Sequence, residues 1–158
     1  MPFDGSDVYQ LAGRLGLPDL ERVAARAGVM SVLRISAYYA ARRVRHSVAQ
    51  VVEQQTGEIE MQLAYEGLSL REPLRLAVEQ DNLEKLQAVL LELRFGKLDD
   101  QTHLSYNERS LWLIQQAAGT HLHSIMVAPD RPELPYSTIV NAIDAYLPEA
   151  IRELPLRF

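Results

Sequence analysis

The 158-residue chain contains no cysteine. A disulfide framework, a zinc ribbon and a cysteine nucleophile are therefore excluded, because each of them needs thiols. Lysine is scarce as well: Lys85 and Lys97 are the only lysines among the 16 basic residues. Arginine supplies the rest, and its planar guanidinium group is the better partner for carboxylates and phosphates.

Glycine-rich motifs are also lacking. The eight glycines occur singly, so the sequence has no G-x-G-x-x-G loop, no G-x-S-x-G elbow and no phosphate-binding P-loop. No run approaches the roughly 18 apolar residues that a membrane-spanning helix needs, and the N-terminus has no basic segment followed by an apolar core. We therefore expect a cytoplasmic protein with no cofactor and no membrane partner.

The composition is that of an ordinary globular protein, with 47% apolar and 23% charged residues. The length suits one domain over residues 1–158, with an N-terminal helical subdomain 1–57 and a C-terminal subdomain 58–158 as the alternative division. Charge is uneven along the chain. Up to Gly57 seven arginines outnumber five acidic residues, and because the net charge is −5, the remainder carries −7. So acidic a surface is a poor match for nucleic acid.

The densest apolar spacing lies in residues 68–96 and predicts two helices joined as a hairpin. Ser69 with Glu72, and Asp81 with Glu84, have the spacing of capping boxes, in which a short oxygen side chain accepts an orphan N–H of the first turn. Leucines at helical spacing follow each pair, and Gly96 is suited to end the second helix.

Residues 29–55 fit two patterns. Leu33, Ile35, Ala37 and Tyr39 alternate as in a strand. A longer set of apolar residues recurs at helical spacing and favours one helix from about Ser31 to Gly57; its members are Leu33, Ala37, Ala40, Val44, Val48 and Val51.

Further helices are predicted over residues 7–16, 18–28 and 136–147, and over a segment that follows a third capping box at Ser105 and Glu108 and contains Leu111 to Ala118. Together these patterns predict a mainly α protein, a compact multi-helix bundle of about six helices. The alternative is an α+β fold, because residues 58–65 alternate as in a strand and need a partner strand. Residues 121–127, and at the sheet edge 151–158, are the candidate partners in a small sheet.

The arginine-rich first third carries the candidate binding residues. At about 100° per residue, Arg34, Tyr38, Arg42 and Arg45 share one face of the predicted helix. Arginines with an interleaved aromatic ring can bind phosphate, stack on a base or pair with acidic helices. Trp112, the only tryptophan, is the fifth candidate, as a core residue or an interface anchor.

One histidine pair has a spacing that metal sites use. His121 and His123 would point to the same face of a strand, and His103, Asp99, Asp100 or Asp130 could join them. Two ligands do not define a site, so we predict no metal, and His121 and His123 are the candidates if one is present.

These patterns favour a noncatalytic protein–protein interaction module that acts through amphipathic helices, as an adaptor, regulatory, chaperone-like or inhibitor protein. Its predicted partner is another protein, or a second copy of the chain in a homodimer. The alternative is a nucleic-acid-binding regulator that uses the arginine-rich N-terminal third. The third hypothesis is a small metal-dependent protein at His121 and His123.

Overall fold

A computed structural model describes residues 5–40, 43–68, 74–104 and 110–156. In chain order its helices and strands are α1 (Gly5–Arg14), α2 (Leu20–Ala24), β1 (Val29–Tyr39), β2 (Ser47–Gln54), β3 (Ile59–Tyr65), β4 (Leu74–Ala77), α3 (Gln80–Glu92), β5 (Ser110–Ala118), β6 (His121–Val127) and α4 (Tyr136–Tyr146). The strands form one antiparallel sheet in the order β4-β3-β2-β1-β5-β6.

The prediction of a mainly α bundle is therefore wrong. The long helix predicted from Ser31 to Gly57 is instead the antiparallel pair β1 and β2. β1 is the fourth strand of six and is covered on both faces, so its buried residues follow one another without alternation. A strand of this kind carries an unbroken apolar run, which also contains residues at helical spacing.

The helix predicted after the Ser105 and Glu108 capping box is also wrong. Residues 110–118 form β5, which pairs with β1 on one side and β6 on the other. Ser105 and Glu108 themselves lie outside the described residues. Like β1, β5 is an inner strand, and its first five residues are all buried.

Only the second half of the predicted helical hairpin is helical. Residues 74–77 form β4 rather than a helix, and Ser69 with Glu72 lies outside the described residues. α3 begins at Gln80, so Asp81 lies in its first turn instead of capping it. The chain turns away at Arg94, which has a φ of 54°, two residues before the predicted Gly96.

The alternative α+β prediction agrees with the structure in class but not in the extent of the sheet. β3 and β6 lie where alternation predicts strands, yet β2, β1 and β5 separate them, so they do not pair. Of the third candidate, 151–158, the described residues 151–156 contribute a single bridge between Pro155 and Val44. A 3-10 helix, Pro148–Ile151, precedes that bridge.

Three short helices follow their sequence signals. α1, α2 and α4 lie within or beside the segments that capping and periodicity predict. Gly16 and Gly28, which follow α1 and α2, have φ values of 84° and 83°. Only glycine adopts this left-handed conformation without a steric cost, so both positions suit the residue present.

The two faces of the sheet are covered by different helices, and we name them accordingly. On the front face, Leu33 and Ile35 of β1 pack in one core with α3 and α4. On the back face, Val32 of β1 packs against α2, and Val48 of β2 packs against α1. Strands from both sides of Gly57 thus contribute to the same two cores.

None of the helices in the described ranges is long and apolar enough to cross a lipid bilayer.

Two leucines of α3 test the front-face packing. Leu86 is fully buried whereas Leu91 is 81% exposed. We expect Leu86→Ala to lower the free energy of unfolding by about 2 to 5 kcal/mol, because it leaves a cavity in the core. Leu91→Ala is the matched control and should change it by less than about 0.5 kcal/mol. Urea unfolding monitored by circular dichroism measures both; equal effects would contradict this packing.

Candidate functional site

A row of polar side chains crosses the back face from one edge of the sheet to the other. The strand register aligns one residue from each strand, and in sheet order they are Arg75, Gln62, Gln50, Arg34, Gln115 and Ser124. The apolar contacts of α1 and α2 lie mainly on either side of this row, around Val48 and Val32. We call these six residues the polar row.

Arg34 is the centre of the polar row. It is 4% exposed, although it carries a charge. Its Nε–H donates to Gln50 Oε1 at 3.1 Å, Nη2 donates to the same oxygen, and Nη2 also donates to the carbonyl oxygen of Pro18 at 2.7 Å. The side chain thereby ties the loop between α1 and α2 to the sheet.

The remaining amino group of Arg34 has no acceptor among the described residues. Nη1 donates no hydrogen bond within the described part of the chain. Among those residues Ser36 Oγ is the one fully enclosed side-chain polar atom without a partner, and Arg34 lines the groove described below. No carboxylate in the described ranges lies within 4 Å of Arg34. Burial lowers the pKa of Arg34 to about 10, and the nearby charge of Asp19 partly offsets this effect.

A groove of about 480 Å³ opens above Arg34 between α1 and α2. Arg34 and Gln115 contribute to it from the sheet, and Ala12, Leu17 and Leu20 are among its apolar lining. The groove therefore combines an apolar lining with a fixed guanidinium group.

Tyr38 lies four residues after Arg34 on the same strand and face. Its ring stacks on His46 with centroids 4.0 Å apart. His46 Nδ1 accepts the backbone N–H of Tyr39 at 3.0 Å, which requires that nitrogen to be unprotonated. Burial raises the pKa of Tyr38, and the nearby Asp7 raises it further.

The other two arginines of the predicted stripe do not extend this arrangement in the described structure. Arg45 follows β1 in the turn to β2, and its Nη1 donates to the carbonyl oxygen of Glu66 at 3.0 Å. Arg42 lies outside the described residues. The structure therefore brings Arg34 and Tyr38 to one face by strand alternation, and helical spacing was the wrong reason for grouping them.

Trp112 lies on the front face, 6% exposed and opposite Ala37 of β1 and Val127 of β6. It belongs to the core with α3 and α4. Of the two roles that the sequence allowed, this placement corresponds to the core residue.

His121 and His123 point to one face of β6, as alternation predicts. His123 Nε2 lies 2.7 Å from the carbonyl oxygen of Leu98, so this nitrogen carries the proton and donates it. The His123 ring also meets Phe95 edge to face. In the ranges that the structure describes, no three His, Asp or Glu side chains are grouped closely enough to hold a metal ion.

Sequence reasoning missed the outer edge of β4. Leu74 and Leu76 of this strand are 46% and 36% exposed and stand beside the buried Leu63 and Met61 of β3. The short alternation of leucine with Arg75 was the available signal, but four residues are too few to separate a strand from the first turn of a helix.

No protein-family model matches the chain, and a search of curated proteins finds no significant match.

The partly buried environment of His46 predicts a pH dependence of stability. Burial lowers the pKa of His46 from its ordinary value of 6.5, with opposing contributions from Glu66, which raises it, and Arg14, which lowers it. The folded state favours neutral His46. Its contribution to the free energy of unfolding is therefore fully present above pH 6.5. This contribution falls as the pH drops below that value, by at most about 1.4 kcal/mol per pH unit.

The His46→Asn variant is the control for this prediction. The amide oxygen of asparagine can accept a hydrogen bond from the Tyr39 backbone N–H, as His46 does, but it does not titrate. Chemical unfolding at pH values from 7.5 to 5 should give a steeper loss of stability for the wild type than for the variant. Parallel curves would contradict a neutral, half-buried His46.

Proposed function

We propose that the protein is a noncatalytic interaction module of the cytoplasm that binds an extended segment of another protein along the outer edge of β4. The observation that carries this proposal is a sheet edge with which no strand of the described residues pairs, beside two exposed leucines. An adaptor, an inhibitor, a regulatory protein or a chaperone-like protein would use such a surface.

The edge itself supplies backbone hydrogen bonds. β4 pairs with β3 through one side, and within the described ranges no strand pairs with its other side. An edge strand leaves a row of N–H and C=O groups free, and an extended peptide can pair with them as an additional strand.

The leucines supply an apolar contact next to those backbone groups. Leu74 and Leu76 both point to the front face, because their register partners Leu63 and Met61 belong to the front core. The apolar front surface therefore continues to the sheet edge. A bound segment with apolar side chains at every second position would place them beside the two leucines.

At the opposite edge of the sheet, formed by β6, side chains of a neighbouring loop bond to the backbone. At β6, the backbone N–H of Met126 donates to Asp100 Oδ1 at 2.7 Å, and the carbonyl oxygen of Met126 accepts from Gln101 Nε2 at 2.9 Å. The loop before β5 thus occupies part of that edge, which is a common way to prevent pairing with other chains. This contrast supports β4 as the binding edge.

A second copy of the chain is a partner that the same edge would accept. Two β4 strands could pair across a two-fold axis and continue the sheet, which makes the homodimer an outcome of the same experiment. The nucleic-acid alternative stays a prediction, and the burial of Arg34 gives it no added support.

The test selects ten-residue peptides that bind the wild-type protein from a displayed random library. Peptides that bind a Leu74→Lys and Leu76→Lys double variant are removed from the library first. Lysine on an edge strand opposes strand addition and removes the apolar contact. We expect the selected peptides to share alternating apolar residues, and to bind the double variant at least about tenfold more weakly than the wild type. Isothermal titration measures the affinities.

Leu122→Lys is the matched control, because Leu122 is 42% exposed on the other edge strand. It should leave peptide affinity unchanged. Light scattering on the same proteins identifies a homodimer if the double variant alone becomes monomeric. The proposal fails if no peptide is enriched and the wild type is a monomer, or if Leu122→Lys weakens binding as much as the double variant does.

A further inference from the structure

We infer that the groove between α1 and α2 is a second binding site, which takes a single carboxylate group carried on an apolar body and pairs it with Arg34. This site lies on the back face of the sheet. It is therefore independent of the proposed function of β4, whose leucines point to the front.

The first support is that the guanidinium group is fixed before any ligand arrives. Gln50 and the Pro18 carbonyl oxygen occupy Nε and Nη2 of Arg34. Only Nη1, with two N–H donors, is left for a ligand. A donor held in this way binds an acceptor without losing further side-chain entropy, which favours affinity.

The second support is a positive charge that no described protein group neutralises at close range. A buried arginine is ordinarily paired with a carboxylate, because an unpaired buried charge is costly. Here the described residues place no carboxylate within 4 Å of Arg34, and its first partners are neutral oxygens. An entering carboxylate would supply the missing negative charge through a charge-assisted hydrogen bond.

The residues that line the groove favour a monocarboxylate over an anion with more negative charges. Asp19 and Glu21, both exposed, lie among its lining residues, and their charges oppose a ligand with two or more negative charges. Leu17, Leu20 and Leu122 offer apolar contact instead. A monocarboxylate with a hydrocarbon body satisfies both conditions better than a phosphate does.

Hexanoate is the probe, hexanamide is its neutral counterpart of similar size, and inorganic phosphate is the polyanionic comparison. Each is titrated into the full-length 15N-labelled protein while the Arg34 Nε–H signal and the amide signals of Asp19 and Leu20 are followed by NMR. We expect hexanoate to shift these signals in a saturable way, and to bind at least about tenfold more tightly than hexanamide or phosphate.

The same carboxylate chemistry occurs in small organic acids and at the C-terminus of a peptide. A short apolar peptide with a free C-terminal carboxylate, and the same peptide with a C-terminal amide, separate these sources. If the peptide acid binds more tightly than hexanoate and its amide does not bind, the ligand is a chain terminus. If hexanoate binds more tightly, the ligand is a small acid. Both results support the site.

Two variants test the residues. Arg34→Gln should abolish hexanoate binding, but it also removes the contact with Pro18, so its fold must be compared by circular dichroism. Leu122→Glu places a carboxylate at an exposed position of the groove without touching that contact, and should weaken hexanoate binding by at least about tenfold. Leu91→Glu, at an exposed position of α3, is the control and should bind hexanoate as the wild type does.

The inference is overturned if hexanoate does not shift the Arg34 signal, if hexanamide or phosphate binds as tightly, or if Leu122→Glu binds hexanoate unchanged. Leu74→Lys with Leu76→Lys should not alter hexanoate binding. Failure of this site and failure of the β4 edge are therefore seen separately.

Discussion

The whole arrangement depends on the burial of β1 from both sides. Its alternate residues enter two different cores, one shared with α3 and α4 and the other with α2. A slip of one residue in its register would exchange these two sets of side chains, and would bring Arg34 into the apolar front core. The register of β1 with β2 and β5 therefore fixes both the packing and the position of the polar row.

The centre of the sheet and its two edges differ in the contacts that cover them. In the centre, the hydrogen bonds of Arg34 to Gln50 and to the Pro18 carbonyl satisfy most of the N–H donors of a buried guanidinium group and hold the α1–α2 connection. At β6 the loop around Asp100 covers part of the edge, whereas β4 is short and exposed along its length. Strand addition is favoured when the rest of the sheet holds the edge strand rigidly, because the partner segment then pairs with a preformed strand.

Alternation and local signals predicted the elements that do not depend on tertiary context. β3 is half-buried and reads as alternating, and α4 begins and ends close to its sequence signals. β5 was mistaken for a helix because burial on both faces removes the alternation. For β1 the strand pattern over 29–39 was present and correct, but the longer set of apolar residues at helical spacing was preferred to it. Arg34 was selected for its charge and its neighbours in a helix that does not form. Its real environment, between Gln50 and Gln115, comes from long-range strand pairing, which one sequence does not display.

The central claim is that β1 is buried on both faces and that, among the described residues, β4 pairs with a strand on one side alone. Amide hydrogen exchange followed by NMR on dilute protein tests it directly, because protection reports local opening of each backbone hydrogen bond. The account predicts that the inner amides of β1 exchange only through global unfolding, and that those of β4 exchange at least about a hundredfold faster. Equal protection of β4 and β1 in the absence of a partner would contradict it.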